Sequence, residues 1–271
     1  MRDFLQNNAC GDLLGNEAQQ QFAMKFELSA AAAEGEILTL GFLPARYQRN
    51  RKMLSLPQQL KLHQSCVAVA GCGGLGGYVI EELARLGVGK IIALDPDIFE
   101  AHNLNRQLLA TSDQLGKPKA EAAAQRVALV NPAVELIAIQ AALETNNGPQ
   151  LLKTAHLVVD AVDSVAARLE IGSLCRQQNL PLVHGAIAGW YGQVTTVLPG
   201  DRTLETLYRH WQGGKGIEAE LGNPAFTPAL VASLQVAEAV KILLATGDLL
   251  QNRVLTLDLL RMSVETIDLI N

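Results

Sequence analysis

Residues 66–95, CVAVAGCGGLGGYVIEELARLGVGKIIALD, contain the clearest structural pattern of the chain. The first residues, CVAVAG, form a short apolar run that is typical of a strand and ends at a glycine. The residues that follow have helical spacing, with Val79, Leu83 and Leu86 on one face and a glycine stop after them. KIIALD then predicts a second strand, which ends at Asp95. This order of strand, helix and strand predicts a parallel βαβ unit.

The same alternation continues toward the C-terminus. Residues 118–130 are predicted to be a helix, because proline prefers the first helical turn. VELIAIQ and HLVVDAV predict strands with a short helix between them, residues 165–178 predict a helix, and PLVHGAI predicts a strand. We therefore expect a Rossmann-like α/β fold, in which helices cover both faces of a mostly parallel sheet.

The two ends of the chain differ from this centre. Residues 1–45 are rich in Gln, Asn and Ala and are predicted to be an N-terminal arm or a small helical region. YGQVTTVLP predicts an alternating strand, and residues 200–224 are polar and glycine-rich, as is typical of a functional or mobile loop. Residues 227–246 predict a buried helix. RVLTLDLL and SVETIDLI predict an edge hairpin, so an antiparallel C-terminal section should extend the sheet.

The composition argues against several classes of protein. Apolar residues make up 49 % of the chain and aromatic residues only 4 %, which suits a helix-rich α/β protein. The net charge of -5, without a basic block, argues against nucleic-acid binding as the main function, although a role in tRNA modification stays open. We find no apolar run of membrane-spanning length and no signal-peptide pattern, so we expect a soluble, cytoplasmic protein. The four cysteines lack CxxC spacing and are expected to be reduced.

A glycine-rich loop, Gly71-Cys-Gly-Gly-Leu-Gly76, lies between the first predicted strand and helix. Its glycines, Gly71, Gly73, Gly74 and Gly76, let the backbone approach a phosphate, and the helix N-terminus offers free N–H groups. Asp95, at the end of the second strand, can accept hydrogen bonds from ribose hydroxyls. This unit predicts an adenine nucleotide and, taken alone, points first to NAD.

Polar residues beyond the second strand indicate a triphosphate instead. They are Asp97, Asn103, Arg106, Gln107 and Lys119. Arg106 can donate a fork of hydrogen bonds to phosphate oxygens, and Lys119 can place a point charge there. Asp163, after the fourth strand, should reach the same edge of the sheet and can hold magnesium, which prefers oxygen ligands and substrate phosphates. ATP with Mg²⁺ is therefore the predicted ligand.

These motifs resemble those of the ThiF/MoeB/HesA family, the bacterial relatives of ubiquitin-activating enzymes. GCGGLGG matches the family's glycine loop, and LDPDIFEAHNLNRQ matches its acid-x-acid strand end followed by Asn-Leu-x-Arg-Gln. GKPKA and VVDAVDS match its lysine and its late aspartate, ARYQRN its entry motif, and TPALVASLQVAEAVKILL its long late helix. The resemblance begins at about Arg46, so residues 46–271 are expected to form a ThiF-type adenylation domain.

The resemblance implies an ATP-dependent adenylyltransferase. Such an enzyme would activate the C-terminal carboxylate of a small ubiquitin-like (sulfur-carrier) protein as an acyl-adenylate and release pyrophosphate. Asp95 would hold the ATP ribose, and Asp163 would bind magnesium. The implied phosphate-binding residues are Asn103, Arg106 and Lys119, with Gln107 beside them.

The resemblance also implies a homodimer. Arg49 would reach the phosphates of the neighbouring subunit across its two-fold axis. The carrier and the pathway stay open between thiamine, molybdopterin, tRNA modification and others.

Three departures from the family pattern limit these expectations. Two CxxC pairs that bind zinc in many relatives are missing, and residues 198–223 contain no cysteine for a thioester or persulfide step. Ser164 follows the late aspartate where the family usually has Asn. We therefore expect no structural zinc and no covalent thioester, with adenylation intact. An NAD-dependent oxidoreductase and a non-catalytic nucleotide-binding scaffold are the alternative functions.

Four further residues can be weighed from the sequence. Cys72 is expected to face the core rather than to act as a nucleophile. His184, on a predicted buried strand, is expected to be a hydrogen-bonded core residue. Trp190 and Tyr191 could line a channel for the tail of a carrier, with simple packing as the alternative.

Overall fold

The computed structural model describes residues 1–214 and 218–269. It describes the side chains of all these residues except 218 and 219. The predicted polar segment 200–224 and the predicted last strand run into residues 215–217 and 270, which lie outside the described residues.

The N-terminal region is helical. It contains α1 (Arg2–Asn8), β1 (Leu13–Leu14), α2 (Asn16–Lys25), α3 (Ala30–Thr39) and β2 (Leu43–Pro44). The two short strands pair in parallel, and the helices enclose a small apolar core of Leu5, Leu14, Phe22, Ala33, Ile37 and Phe42. The alanine-rich run at 30–33 begins α3, where Ser29 accepts a hydrogen bond from Ala32 N–H and so caps the helix.

A buried polar junction connects this region to the rest of the protein. The Tyr47 hydroxyl donates to Glu34 Oε1 over 2.7 Å and accepts from Asn131 Nδ2 over 2.8 Å. Arg46 donates to Asn131 Oδ1 and, over 3.0 Å, to Gln19 Oε1. Gln19 comes from α2, Glu34 from α3, and Asn131 from the end of α6, while Arg46 and Tyr47 share one turn, so the junction fixes the N-terminal helices against the larger sheet.

The central elements alternate as predicted. They are α4 (Leu56–His63), β3 (Cys66–Ala70), α5 (Gly74–Leu86), β4 (Lys90–Leu94), α6 (Lys119–Val130), β5 (Glu135–Ile139), α7 (Gly148–Leu151), β6 (Leu157–Asp160), α8 (Val165–Gln177) and β7 (Leu182–Ala188). The C-terminal elements are β8 (Tyr191–Val197), α9 (Thr203–Leu207), α10 (Glu218–Leu221), α11 (Phe226–Leu244), β9 (Arg253–Asp258) and β10 (Ser263–Asp268).

Eight strands form the main sheet, in the order β10-β9-β8-β7-β6-β3-β4-β5. The strands from β7 to β5 in this order are parallel, whereas β8, β9 and β10 pair antiparallel. The chain adds β4 and β5 on one side of β3 and then returns to add β6 on the other. This reversal creates a crevice at the carboxyl ends of β3 and β6, where open α/β sheets bind ligands.

Both faces of the sheet are covered. On β3, Val67 and Val69 join a core with α5, α6 and α11. Ala68 and Ala70, on the opposite face, join a second core with α8. The predicted fold class is therefore confirmed, including the antiparallel C-terminal section.

Two parts of the C-terminal half, the connection between β8 and α11 and the helix α11 itself, differ from what the sequence predicts. The connection between β8 and α11, residues 198–225, is called the crossover segment below. It contains the short helices α9 and α10, although its sequence shows no periodicity. Helix α11 is long and apolar enough to span a membrane by length and composition. However, half of its apolar 18-residue stretch is buried in the fold, where α11 packs against α5 and β7.

Candidate active site

A cleft of about 290 Å³ opens at the carboxyl ends of β3, β4 and β6. Nine of the residues predicted from the sequence line it. They are Gly71, Gly73, Gly74, Asp95, Asp97, Arg106, Gln107, Lys119 and Asp163. Residues far apart in the chain therefore meet at one end of the sheet.

Steric constraints shape the glycine loop. Gly71 has φ of +96°, and a Cβ there would lie 2.6 Å from the carbonyl oxygen of Ala161. A Cβ on Gly76 would lie 1.8 Å from the carbonyl oxygen of Gly71, so the first turn of α5 can close on the loop only with glycine. At Gly74 the nearest atom to a Cβ would be 3.6 Å away, on Pro228. Gly71 and Gly76 thus allow the loop to fold, whereas a Cβ at Gly74 would meet only ordinary contacts at the wall of the cleft.

Asp95 lies at the cleft and is only 5 % exposed, and two backbone hydrogen bonds fix its carboxylate. Its carboxylate accepts the N–H of Cys72 over 2.7 Å and the N–H of Asp97 over 2.9 Å. Burial raises the pKa of Asp95, while these two donors and the nearby Lys119 ammonium oppose that rise. Each carboxylate oxygen keeps further acceptor capacity, which suits a ligand with paired hydroxyl groups.

Lys119, at the start of α6, places a buried positive charge in the same cleft. Its Nζ atom lies 2.9 Å from Asp97 Oδ2 and 4.0 Å from Asp95 Oδ1. The Asp97 side chain is 66 % exposed, whereas Lys119 is 7 % exposed. A phosphate that enters the cleft can therefore replace the exposed Asp97 carboxylate as the partner of a cation that is already in place.

Arg106 and Gln107 complete the wall beside the glycine loop. Arg106 Nη1 donates to the carbonyl of His102 over 3.2 Å and to Asn105 Oδ1 over 2.8 Å. Gln107 is buried, and within the described residues its Oε1 atom has no hydrogen-bond partner. A Cβ on Gly73 would lie 3.4 Å from Gln107 Nε2, so this amide lies directly against the loop. This buried acceptor is therefore free to take a hydrogen bond from a ligand or a water molecule in the cleft.

Asp163 lies in the turn between β6 and α8, where it is exposed and lines the cleft. Ser164, at the position where the family usually has Asn, caps α8 by accepting the N–H of Ala167. In the part of the chain that the structure describes, no three His, Cys, Asp or Glu side chains meet as a metal site. Magnesium fits this arrangement only as an ion that takes Asp163 together with substrate phosphates and water, which is its usual mode of binding.

Three predicted residues do not line the cleft. Gly76 acts through the loop, as described above. Asn103 is 3 % exposed, and its Oδ1 atom accepts the N–H of Glu100 over 3.0 Å, which closes the turn before Arg106. Arg49 is exposed in the turn before α4. Direct phosphate contacts by Asn103 and Arg49 stay predictions.

The cleft also contains residues that sequence reasoning missed. Leu143 and Ile187 supply apolar surface, and Arg168 supplies a buried guanidinium. Leu143 lies in an irregular segment after β5, and Ile187 reads as an ordinary strand residue. Arg168 follows Asp163 by little more than one helical turn, and this spacing is the only sequence signal that could have found it.

A second cavity, of about 470 Å³, adjoins the cleft and shares Arg168 and Ile187 with it. Tyr191, Tyr208 and Trp211 are among its walls. Within the described residues the buried indole nitrogen of Trp211 has no hydrogen-bond partner. We call this space the apolar cavity. Of the two residues considered as channel residues, Tyr191 lines it, whereas Trp190 packs on Phe226 at a centroid distance of 4.7 Å.

The cysteines near the site are buried. Cys72 is 0 % exposed, and burial together with the Asp95 charge raises the pKa of its thiol well above the usual range. Burial raises the pKa of Cys175 to about 12. The thiolate, which is the reactive form, is suppressed in both, and Cys72 faces the core as predicted.

The sheet order, the glycine loop and the cleft define an α/β nucleotide-binding protein of the Rossmann type. A comparison with protein families shows which one: the ThiF family matches residues 47–271, and the chain belongs to this family.

Curated relatives cover most of the chain. It is 36 % identical over 211 residues to the SAMP-activating enzyme E1 of Haloferax volcanii, covering 77 % of this chain and 78 % of the relative. It is 35 % identical over 230 residues to the sulfur carrier protein adenylyltransferase of Thermus thermophilus, covering 79 % and 84 %. The molybdopterin-synthase adenylyltransferase of Haemophilus influenzae is 31 % identical over 228 residues, covering 83 % and 94 %. The predicted family and enzyme class, an adenylyltransferase that uses ATP, are confirmed.

Solved structures share the fold. MccB of E. coli, in complex with MccA-N7isoASN, superimposes with a TM-score of 0.70 at 22 % identity and covers 83 % of this chain and 71 % of its own. PaaA gives a TM-score of 0.69 at 20 % identity and covers 83 % and 73 %.

Proposed function

We propose that this protein uses ATP to adenylate the C-terminal carboxylate of a small ubiquitin-like sulfur-carrier protein. The observation that carries the proposal is the meeting of the glycine loop, Asp95, Arg106, Lys119 and Asp163 in one cleft. The names of the relatives support the substrate class, because they include a sulfur carrier protein adenylyltransferase and a SAMP-activating enzyme.

Each cleft residue has a role that its surroundings support. Asp95 accepts the ribose hydroxyls, since two backbone N–H groups already fix its carboxylate. Lys119 and Arg106 neutralise the phosphates, and Gln107 accepts a donor beside the glycine loop. Asn103 orders the turn that presents Arg106.

The reaction needs positioning and charge neutralisation more than covalent help from the protein. A carboxylate oxygen of the carrier attacks the α-phosphorus of ATP, and the bond between that phosphorus and the bridging oxygen of pyrophosphate breaks. Lys119 and Arg106 stabilise the charge that develops on the phosphate oxygens. Magnesium, held at Asp163, would supply additional charge neutralisation on the phosphates. The cleft and the adjoining apolar cavity would hold the two reactants side by side, which lowers the entropic part of the barrier.

The apolar cavity is the proposed path for the carrier's tail. It adjoins the cleft through Arg168 and Ile187, so an extended peptide in it would bring its carboxylate toward the nucleotide. The unpartnered Trp211 N–H could donate to a peptide carbonyl there.

We further propose that the adenylated carrier is the end product and that the protein holds no structural zinc. Structural zinc needs four Cys or His ligands in close groups, and residues 198–223 contain no cysteine. Non-reducing gels after incubation with ATP and carrier should show no adduct that thiols cleave, and elemental analysis should show no stoichiometric zinc. An adduct lost in Cys72→Ser or Cys175→Ser would overturn the first statement, and one zinc per chain the second.

The limits of the adenylation domain and the assembly are also proposed. The separate core of the N-terminal helices supports a boundary near residue 45, with the ThiF-type domain at 46–271. A homodimer in which Arg49 acts on the partner's nucleotide is consistent with the exposure of that side chain.

ATP–pyrophosphate exchange with candidate carriers from the same genome tests the proposed function. Exchange should require ATP, magnesium and a carrier with a free C-terminal carboxylate, and a carrier amidated at its C-terminus is the matched control. Calorimetry should show magnesium-dependent ATP binding and little affinity for NAD. Tight NAD binding without an ATP response would contradict the proposal in favour of an oxidoreductase, and ATP binding without exchange for any carrier would favour a scaffold.

A further inference from the structure

A chain of hydrogen bonds crosses the wall between the apolar cavity and the nucleotide cleft. Tyr208 directly follows α9 in the crossover segment, and its hydroxyl lies 3.0 Å from His184 Nε2. His184, on β7, places Nδ1 2.6 Å from Asp160 Oδ2 at the end of β6. His184 and Asp160 are both 0 % exposed. This series of hydrogen bonds therefore connects the crossover segment to the carboxyl end of β6, where the cleft lies.

The donors and acceptors fix the direction of this chain. Gln193 Nε2 and Arg168 Nη1 can only donate to the Tyr208 oxygen, from 3.1 and 3.3 Å. Tyr208 therefore directs its own proton to His184 Nε2. Burial lowers the pKa of His184 more than Asp160 raises it, so the imidazole is neutral at pH 7 and its one proton, on Nδ1, goes to Asp160. The contact between His184 and Asp160 is thus a hydrogen bond of a neutral ring rather than an ion pair.

Arg168 connects the chain to the turn that carries Asp163. Its Nη2 atom donates to the carbonyl of Val162 over 2.9 Å, and its Nε atom lies 3.9 Å from Asp160 Oδ2. The N–H of Val162 donates to Asp160 Oδ1 over 3.1 Å. Both polar backbone groups of Val162, the residue before Asp163, are therefore held by this network.

We propose that Tyr208 is a positioning residue that, through Arg168, fixes the turn bearing Asp163 and so couples the crossover segment to the metal position of the cleft. The inference rests on the proposed function, because there Asp163 holds magnesium. Tyr208 lines the apolar cavity and not the cleft, so it acts on the metal position only through its partners. Groups bonded directly to a metal ligand typically change metal affinity by 10- to 100-fold when they are lost, and Tyr208 acts from further out, through Arg168 and the Val162 backbone.

The variant Tyr208→Phe tests the inference, because it keeps the ring and removes the hydroxyl. The Mg²⁺ concentration that gives half of the magnesium-dependent gain in ATP affinity should rise in calorimetric titrations, by up to about tenfold, the lower end of the range for direct partners of a metal ligand. ATP binding without magnesium should stay within about twofold of wild type, since within the described residues Asp95 and Lys119 form their hydrogen bonds and ion pairs with Cys72, Asp97 and each other rather than with the network.

Tyr191→Phe is the matched control. Tyr191 lines the same cavity, and within the described residues its hydroxyl makes no hydrogen bond, so its loss should leave the magnesium dependence unchanged. Arg168→Lys is a second variant, which keeps the charge but cannot make the same set of contacts, and it should reproduce the effect of Tyr208→Phe.

The outcomes separate this inference from the proposed function. A lower Tm with unchanged magnesium half-saturation in Tyr208→Phe and Arg168→Lys would mean that the network is only structural, and would overturn the inference while the proposed function stands. A wild-type protein that binds ATP without any magnesium dependence would overturn the role of Asp163 and, with it, the inference.

Discussion

Lys119 is a buried cation between two carboxylates, which makes its contribution testable by a single substitution. Lys119→Ala and Arg106→Ala should each lower the rate of ATP–pyrophosphate exchange by about 10²–10³, the usual effect of removing one transition-state donor. Lys117→Ala is the matched control, because Lys117 is exposed near the same helix and does not line the cleft. Exchange at the wild-type rate in folded Lys119→Ala and Arg106→Ala would show that the site lies elsewhere.

His184 should make the stability of the protein depend on pH. Its pKa is lowered in the folded state, whereas an unfolded histidine titrates near pH 6.5. Below about pH 6.5, His184 therefore binds a proton in the unfolded chain but stays neutral in the folded protein. The free energy of unfolding should fall with decreasing pH by up to about 1.4 kcal/mol per pH unit from this residue, and the full stability should be present above pH 6.5.

His184→Gln removes this titration and keeps a donor for Asp160. Urea unfolding at several pH values should show a variant that is less stable than wild type at pH 7.5 and has a flatter dependence between pH 6.5 and 5. His210→Gln, at an exposed position, should keep the wild-type slope. Equal slopes for His184→Gln and wild type would contradict a neutral, buried imidazole.

At the scale of elements, substitutions at two glycines of α5 should affect two different properties, the stability of the fold and the binding of nucleotide. Gly76→Ala should lower Tm by about 6–12 °C, because its Cβ would overlap the carbonyl oxygen of Gly71 and overpacking against backbone costs about 3 kcal/mol. Gly74→Ala should keep Tm within a few degrees of wild type, because its Cβ meets only ordinary contacts, but should weaken ATP binding by filling the cleft. Thermal denaturation and calorimetry measure the two effects. A stable Gly76→Ala protein would refute the steric argument.

The elements that could be predicted from the sequence are those with local signals. Residues 66–95 combine strand and helix periods with a glycine stop, and Gly87 indeed ends α5 with φ of +79°. Asp95, Lys119 and Asp163 could be assigned to one site because parallel strands end at the same edge of a sheet. The helices α9 and α10 could not be predicted, since their sequences show no amphipathic repeat.

The hydrogen-bonded chain through Tyr208 lay beyond sequence reasoning for a different reason. His184 and Asp160 become neighbours only when β6 and β7 pair, and Tyr208 reaches them from the crossover segment. Contacts of this kind depend on three-dimensional placement and leave no spacing in the chain. The same holds for the N-terminal helices, whose junction at Tyr47 needs Asn131 from the far end of α6.

At the scale of the whole molecule, we predict a homodimer whose sites are shared. If Arg49 acts across the interface, Arg49→Ala and Asp163→Ala should each be inactive alone, whereas their mixture should regain part of the exchange activity, because some mixed dimers contain one intact site. Light scattering gives the assembly state, and exchange assays after subunit mixing give the activity.

Arg51→Ala provides the control for this experiment. Arg51 lies in the same exposed turn but pairs with Asp12 over 2.6 Å, so its loss should leave exchange activity near wild type. A monomeric protein, or an absence of rescue after proven subunit exchange, would contradict a shared site.

The position of β3 in the sheet also has a consequence for synthesis on the ribosome. Val67 pairs with Ile91 on one side and with Leu157 on the other, so one edge of this apolar strand stays open until β6 has emerged. An open apolar edge is prone to wrong pairing while the chain is incomplete. The glycine loop, too, packs on Ala161 only at that stage. A nascent chain therefore gains its nucleotide cleft only after β6 has been translated, and until then the open edge of β3 is the segment that chaperones would need to shield.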